Sequence, residues 1–84
     1  MSEHTTQIIE FIAREIVRRP EVQISADTEL VSSGLVDSLA LVDILMKLEK
    51  ITGCRIPAGE VQAEDMNTVN LMLATVARVG RPQS

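Results

Sequence analysis

Tryptophan and tyrosine are absent from this chain, and Phe11 is its one aromatic residue. Nucleic-acid surfaces depend on stacking rings and cationic grooves. With 8 Lys+Arg against 12 Asp+Glu, a net charge of −4 and a pI near 4.8, no nucleic-acid partner is expected. Cys54 is the single cysteine, so neither an internal disulfide nor a paired-thiol metal motif can form, and a reducing, cytoplasmic setting is expected. The N-terminal MSEHTTQ has no basic region, and no apolar run approaches the roughly 18 residues that span a bilayer, which predicts neither export nor membrane insertion. His4 is the one histidine. It reads as a solvated tail residue, and no metal cluster or Ser/His/carboxylate set can be assembled around it.

What remains is an 84-residue chain with 45% apolar residues, expected to form one monomeric domain over residues 1–84 with an ordered core of about 5–80. At this size folding buries roughly 60 to 65% of the exposable surface, which leaves little room for an enclosed active site. A self-contained enzyme is not expected.

The apolar spacing of Ile8, Ile9, Ile12, Ala13, Ile16 and Val17 predicts an amphipathic helix from Thr5 to Arg19, ended by Pro20, with Glu10–Arg14 and Glu15–Arg19 as supporting pairs four apart. Pro20 to Val36 has no sustained period. Asp27-Thr28-Glu29-Leu30 there can cap a single turn, Ile24, Leu30 and Leu35 read as apolar anchors, and Ser32-Ser33-Gly34 as a turn. Asp37 is a good cap for a second helix from Ser38 to about Thr52, with Gly53 in the left-handed position that follows. Arg55 to Met66 allows a short helix near Ala58 to Val61. Asn67 or Thr68 caps a last helix with a stripe of Val69, Met72, Leu73, Val76 and Ala77, stopped by Gly80 and Pro82. Met66 and Met72 read as core filler. No strand alternation is present, so the fold class is all-α: a small four-helix bundle of three longer helices and one short one. Met1 to His4 and Arg81 to Ser84 read as frayed tails.

The second helix has more apolar side chains than one buried face requires. At about 100° per residue, Leu41, Ile44, Leu45, Leu48 and Ile51 share one half, and Leu39, Val42 and Met46 share the other with Asp43, Glu49 and Lys50. Such a helix is either buried on both sides or offers a partner surface; in so small a bundle the partner surface is favoured. Residues 20 to 46 also contain Glu21, Asp27, Glu29, Asp37 and Asp43 and no Lys or Arg. This acidic zone reads equally as a solvated face or as steering toward basic partners. By composition Ser38 is an ordinary helix-start serine, although a helix N-terminus favours a phosphate on that oxygen. Cys54, in the turn after Gly53, reads as an ordinary thiol.

Gly34 to Met46, GLVDSLALVDILM, resembles the attachment site of acyl and peptidyl carrier proteins, where the serine of a D-S-L motif carries phosphopantetheine. The likeness extends to the long loop before Asp37, to LEKITG at the end of the second helix, to Arg55-Ile56-Pro57 and to the Asn67-Thr68 start of the last helix. The resemblance implies that Ser38 is esterified with 4'-phosphopantetheine from coenzyme A by a phosphopantetheinyl transferase, with Asp37 near the transferase's magnesium. The thiol-ended arm would hold an acyl or aminoacyl thioester and carry it between downstream biosynthetic enzymes, itself catalysing nothing. Leu39, Val42 and Met46, with Asp43, correspond to the region that family members present to their enzymes.

Two departures from the family pattern stand out. Thr52 occupies a position before the glycine where members often have an aromatic, and Ala40, Lys47 and Lys50 make the second helix less acidic than in fatty-acid-synthesis members, which points to a specialised pathway. The GLVDS spacing and the run Glu64 to Thr68 are similar to stand-alone D-alanyl and aminoacyl carriers, which are charged by adenylate-forming ligases. A discrete polyketide or nonribosomal carrier loaded by an acyltransferase is the neighbouring reading. A fatty-acid carrier and an unmodified helical adaptor are the alternatives.

Overall fold

Ile8 and Ile12, one turn apart in the N-terminal segment, are both fully buried, as the apolar spacing requires. In the computed structural model, which describes residues 3–82, this segment begins as α1 (Glu3–Phe11) and widens into a π-helical stretch, Ile12–Val17. The wider turn closes with the Arg18 N–H donating to the Ala13 carbonyl five residues back, at 3.0 Å, and Arg18 itself turns left-handed with φ 56°. The helix therefore stops before Arg19, and π geometry shifts residues four apart out of stacked register. Neither expected ion pair forms: among the described residues the one ion pair is Arg78–Asp65 at 3.7 Å. Arg18 instead directs its Nε–H to the Glu15 carbonyl at 3.2 Å.

α2 (Ser38–Thr52) has the expected limits. The Asp37 carboxylate accepts from the Ala40 N–H at 2.8 Å, and Gly53 is left-handed at φ 70°. Ile44 and Leu48 are its buried residues. Thr52, in place of an aromatic, donates its hydroxyl to the Leu48 carbonyl at 2.6 Å and accepts from the Cys54 N–H at 3.3 Å. Hydrogen bonds, rather than a ring, thus organise that corner.

The region expected to hold one short helix forms two single 3-10 turns, Ala58–Glu60 and Ala63–Met66. Pro57, which lacks an N–H, stands just before the first. α3 (Val69–Val79) is capped by Thr68, whose hydroxyl accepts from the Leu71 N–H at 3.0 Å. Val69, Met72 and Val76 are buried, but Ala77 is exposed and Thr75 takes a buried place at 5% exposure. Thr75 is tolerated there because its hydroxyl donates to the Leu71 carbonyl at 2.8 Å.

Although the sequence shows no strand alternation, β1 (Cys54–Arg55) pairs antiparallel with β2 (Arg81–Pro82), which ties the end of the chain to the corner after α2. Gly80 suits this approach: a Cβ there would run into the Val76 carbonyl oxygen and lie 3.3 Å from the Cβ of Cys54 on β1. Of the expected tails, His4 is an exposed residue of α1 and Arg81 and Pro82 are paired; Met1, Ser2, Gln83 and Ser84 lie outside the described residues. The result is the all-α bundle expected, with α1 packed on α2 and α3 and Leu30 and Val36 from the long loop inserted into the same core.

Candidate functional site

The long loop reaches Ser38 along a defined path. After a turn closed by the Val22 N–H on the Arg19 carbonyl at 3.0 Å, Ser25 and Thr28 close a second: the Thr28 N–H donates to the Ser25 carbonyl at 3.2 Å, and the Ser25 N–H donates to the Thr28 hydroxyl at 2.8 Å. This turn starts two residues before the expected Asp27–Leu30 stretch and overlaps its first half. Leu30, fully buried, and Val36, at 3% exposure, anchor the second half, while Ile24 and Leu35 are half-buried against the core. Between them Gly34 adopts φ 82°, open to glycine without steric cost, and its N–H donates to the Val31 carbonyl at 3.1 Å. The Ser33 hydroxyl donates to the Glu29 carbonyl at 2.5 Å and the Ser32 hydroxyl to the Glu29 carboxylate at 3.0 Å. Both serines before the glycine are therefore engaged in holding the turn.

Val36 is buried and Asp37 exposed, so the chain surfaces just before α2 starts. Ser38 is the first residue of α2 and is exposed. Asp37 spends its carboxylate on the Ala40 N–H, which fixes the first turn and leaves the Ser38 side chain outside the cap. An ester phosphate on Ser38 Oγ would lie beside the amides and positive dipole end of a four-turn helix, with room in front of it. The residues present thus fit a phosphate-linked prosthetic group at this point.

Leu39, Val42 and Met46 are 83%, 56% and 62% exposed. At 100° per residue they fall within about 60° of arc, a single apolar strip that begins beside Ser38. Asp43 is exposed next to it. Glu49, assigned by period to the same half, is different: its Oε2 accepts from the Ile56 N–H at 2.8 Å. Lys47 is also committed within the fold, its Nζ lying 5.5 Å from the Phe11 ring centroid. Of the acidic zone, Asp27, Glu29 and Asp37 accept hydrogen bonds from Asn70, Ser32 and Ala40. Those carboxylates shape the loop as well as charging it.

Two open grooves of about 680 and 500 Å³ run between the first helix and the far end of α2, walled by Phe11, Lys47 and Lys50. Neither includes Ser38 or Asp37. Among the described residues no three His, Cys, Asp or Glu side chains gather as a metal site, and no helix is long and apolar enough to cross a membrane. Sequence reasoning missed Asn67 and Asn70, which hold the loop from the start of α3. An asparagine at a helix start signals a cap equally well, so the sequence carried no separate sign of this role.

The family described as "Phosphopantetheine attachment site" matches residues 7–76. The D-alanyl carrier protein of Streptococcus uberis is 36% identical over 50 residues, covering 60% of this chain and 63% of that protein. The D-alanyl carrier protein of Streptococcus sanguinis is 29% identical over 73 residues, covering 87% and 90%. The lincomycin biosynthesis protein LmbN of Streptomyces lincolnensis is 41% identical over 59 residues, 70% of this chain but 21% of that protein. For the first D-alanyl carrier proteins it matches, the chain spans 63% and 60% of their length. Coverage by the family, over most of the chain and across the exposed Ser38, establishes that the chain belongs to the phosphopantetheine attachment-site family, a carrier family whose prosthetic group is 4'-phosphopantetheine.

Proposed function

We propose that the chain is a non-catalytic carrier on which Ser38 bears the phosphopantetheine arm, and that it moves an acyl or aminoacyl group between enzymes of a specialised biosynthetic pathway in the cytoplasm. The observation that carries this reading is the exposed Ser38 at the first position of α2, beside a cap that Asp37 alone provides. When bound, the group supplies a thiol on a flexible tether, so that cargo is held as a thioester at high local concentration. The chain's own work is to present one hydroxyl, to steady the phosphate at a helix N-terminus, and to offer the strip of Leu39, Val42 and Met46 with Asp43 to each partner. Those partners are a phosphopantetheinyl transferase, an adenylate-forming ligase or acyltransferase, and downstream enzymes. Likeness to D-alanyl carrier proteins favours an ATP-dependent ligase and an amino acid or small carboxylic acid as cargo, and likeness to a lincomycin biosynthesis protein supports a specialised pathway.

The test is intact-protein mass after incubation with coenzyme A and a broad-specificity transferase. The native chain should gain one phosphopantetheine, and Ser38→Ala should gain none while keeping its helical circular dichroism. Modification of Ser38→Ala, or mapping to Ser32 or Ser33, would overturn the assignment, and an unmodified native chain would favour the adaptor reading. Loading of the modified chain by a malonyl transferase alone would replace the ligase with the fatty-acid or polyketide alternative.

A further inference from the structure

Asn67 sits between the second 3-10 turn and the cap of α3, and its acceptors face back across the molecule. Its side-chain Oδ1 accepts from the N–H groups of Val31 and Ser32, each at 2.9 Å, and these lie 36 and 35 residues earlier. Its backbone carbonyl accepts from the Leu30 N–H at 2.7 Å. Three successive loop amides therefore end on one residue. Nothing about capping α3 demands this, because Thr68 supplies that cap. One turn further on, Asn70 adds a tie of opposite polarity: its Nδ2 donates to Asp27 Oδ1 at 2.6 Å and its N–H to the Ala26 carbonyl at 3.0 Å. From the latched Val31 and Ser32 the chain passes through Gly34 to Val36, whose N–H returns to the Leu30 carbonyl at 3.0 Å, and then to Ser38. The approach to the serine is thus shaped from α3.

We propose that Asn67 is a positioning residue for the chemistry at Ser38: its Oδ1 holds Val31 to Leu35 in the one shape that the modifying enzyme binds. This rests on Ser38 being the attachment serine. Without the latch, the two amides turn to water and the segment samples several shapes. A partner that binds only one shape then loses apparent affinity in proportion to the competent fraction. The start of α2 is held separately by Asp37, so the reacting hydroxyl, once bound, is unchanged. The KM for the carrier should rise while kcat is kept.

The side-chain chemistry makes the test specific. A carbonyl oxygen with two lone pairs meets two N–H donors; aspartate keeps that acceptor, and leucine keeps the branching but has none. Initial rates of modification by a broad-specificity transferase, with coenzyme A saturating, are measured against carrier concentration for the native chain, Asn67→Asp and Asn67→Leu. Asn67→Leu should raise KM about tenfold with kcat unchanged, and Asn67→Asp should stay within about twofold of native. Amide exchange read by NMR should quicken at Val31 and Ser32 in Asn67→Leu alone, with Ala40 unaltered. Should Asn67→Leu fail to fold, Asn67→Ala removes the same oxygen without adding an apolar branch and is read the same way. A native KM alongside faster exchange at Val31 and Ser32 would overturn the proposal, as would a defect in Asn67→Asp equal to that of Asn67→Leu. Modification of the native chain at a residue other than Ser38 would instead overturn the attachment reading, leaving the exchange result intact.

Discussion

Glu49 and Ile56 are joined across the corner that follows α2, with the carboxylate Oε2 accepting the Ile56 backbone N–H at 2.8 Å. Ile56 is 6% exposed, so its amide has little access to water, and the carboxylate is what allows that side chain to enter the core. Glu49→Ala should destabilise the chain by about 1–3 kcal/mol, a fall in Tm of several degrees for a domain of this size. Glu49→Gln, which retains an acceptor, should lose clearly less. Equal losses in thermal denaturation would mean that the carboxylate matters by its charge and not by this bond.

Asp37 caps α2 and also borders the proposed attachment serine, and the two roles separate by substitution. Asp37→Ala removes the acceptor for the Ala40 N–H and should cost about 1 kcal/mol. Asp37→Asn keeps a capping oxygen and should leave Tm nearly unchanged. If the carboxylate also meets the transferase's magnesium, Asp37→Asn should still slow modification severalfold. Native modification kinetics for Asp37→Asn would confine this residue to the cap.

Met46 and Ile44 lie two positions apart on α2 but differ in setting, at 62% and 0% exposure. Ile44→Ala should lose about 2–5 kcal/mol by opening a cavity. Met46→Ala should change stability by less than about 0.5 kcal/mol, yet slow loading at subsaturating carrier, because an apolar side chain at an interface centre is worth more than about 1 kcal/mol. Paired thermal melts and loading rates check both expectations. A Met46→Ala protein with native kinetics would remove Met46 from the partner surface.

α2 was legible from Asp37 to Gly53 because its signals are local. A cap carboxylate three residues before the amide it binds, a helical period and a left-handed glycine all act between near neighbours, and the resulting geometry assigned Leu39, Val42 and Met46 to one strip before any packing was known. The same period places Ile8 and Ile12 of the first helix and Val69, Met72 and Val76 of α3 in the core, but it leaves out the buried Thr5, counts the half-buried Leu73 as core, and takes Ala77 where Thr75 is buried. That exchange depended on a hydroxyl finding the carbonyl of Leu71, a bond that hydrophobic counting does not weigh. The GLVDSL run carried the attachment site as a resemblance, while composition alone allowed an ordinary serine.

Tertiary structure decided the rest. Arg18 takes a left-handed conformation that no residue type there predicts, and α1 widens to π geometry ahead of it. β1 and β2 pair where α3 ends at Gly80, a position at which a Cβ would crowd both the Val76 carbonyl and the Cys54 side chain of β1, although neither strand has a pattern of its own. Glu49 serves Ile56, and Asn67 serves Val31 and Ser32, because folding brings those amides within reach. The sequence by itself determined α2, the apolar stripes of the first and last helices and the exposed place of Ser38, because caps and helical periods act between residues close along the chain. Only the tertiary structure decided which polar side chains hold the loop, because a carboxylate or amide offers the same acceptors to water as to a distant backbone, and the choice is made by proximity after the core has formed.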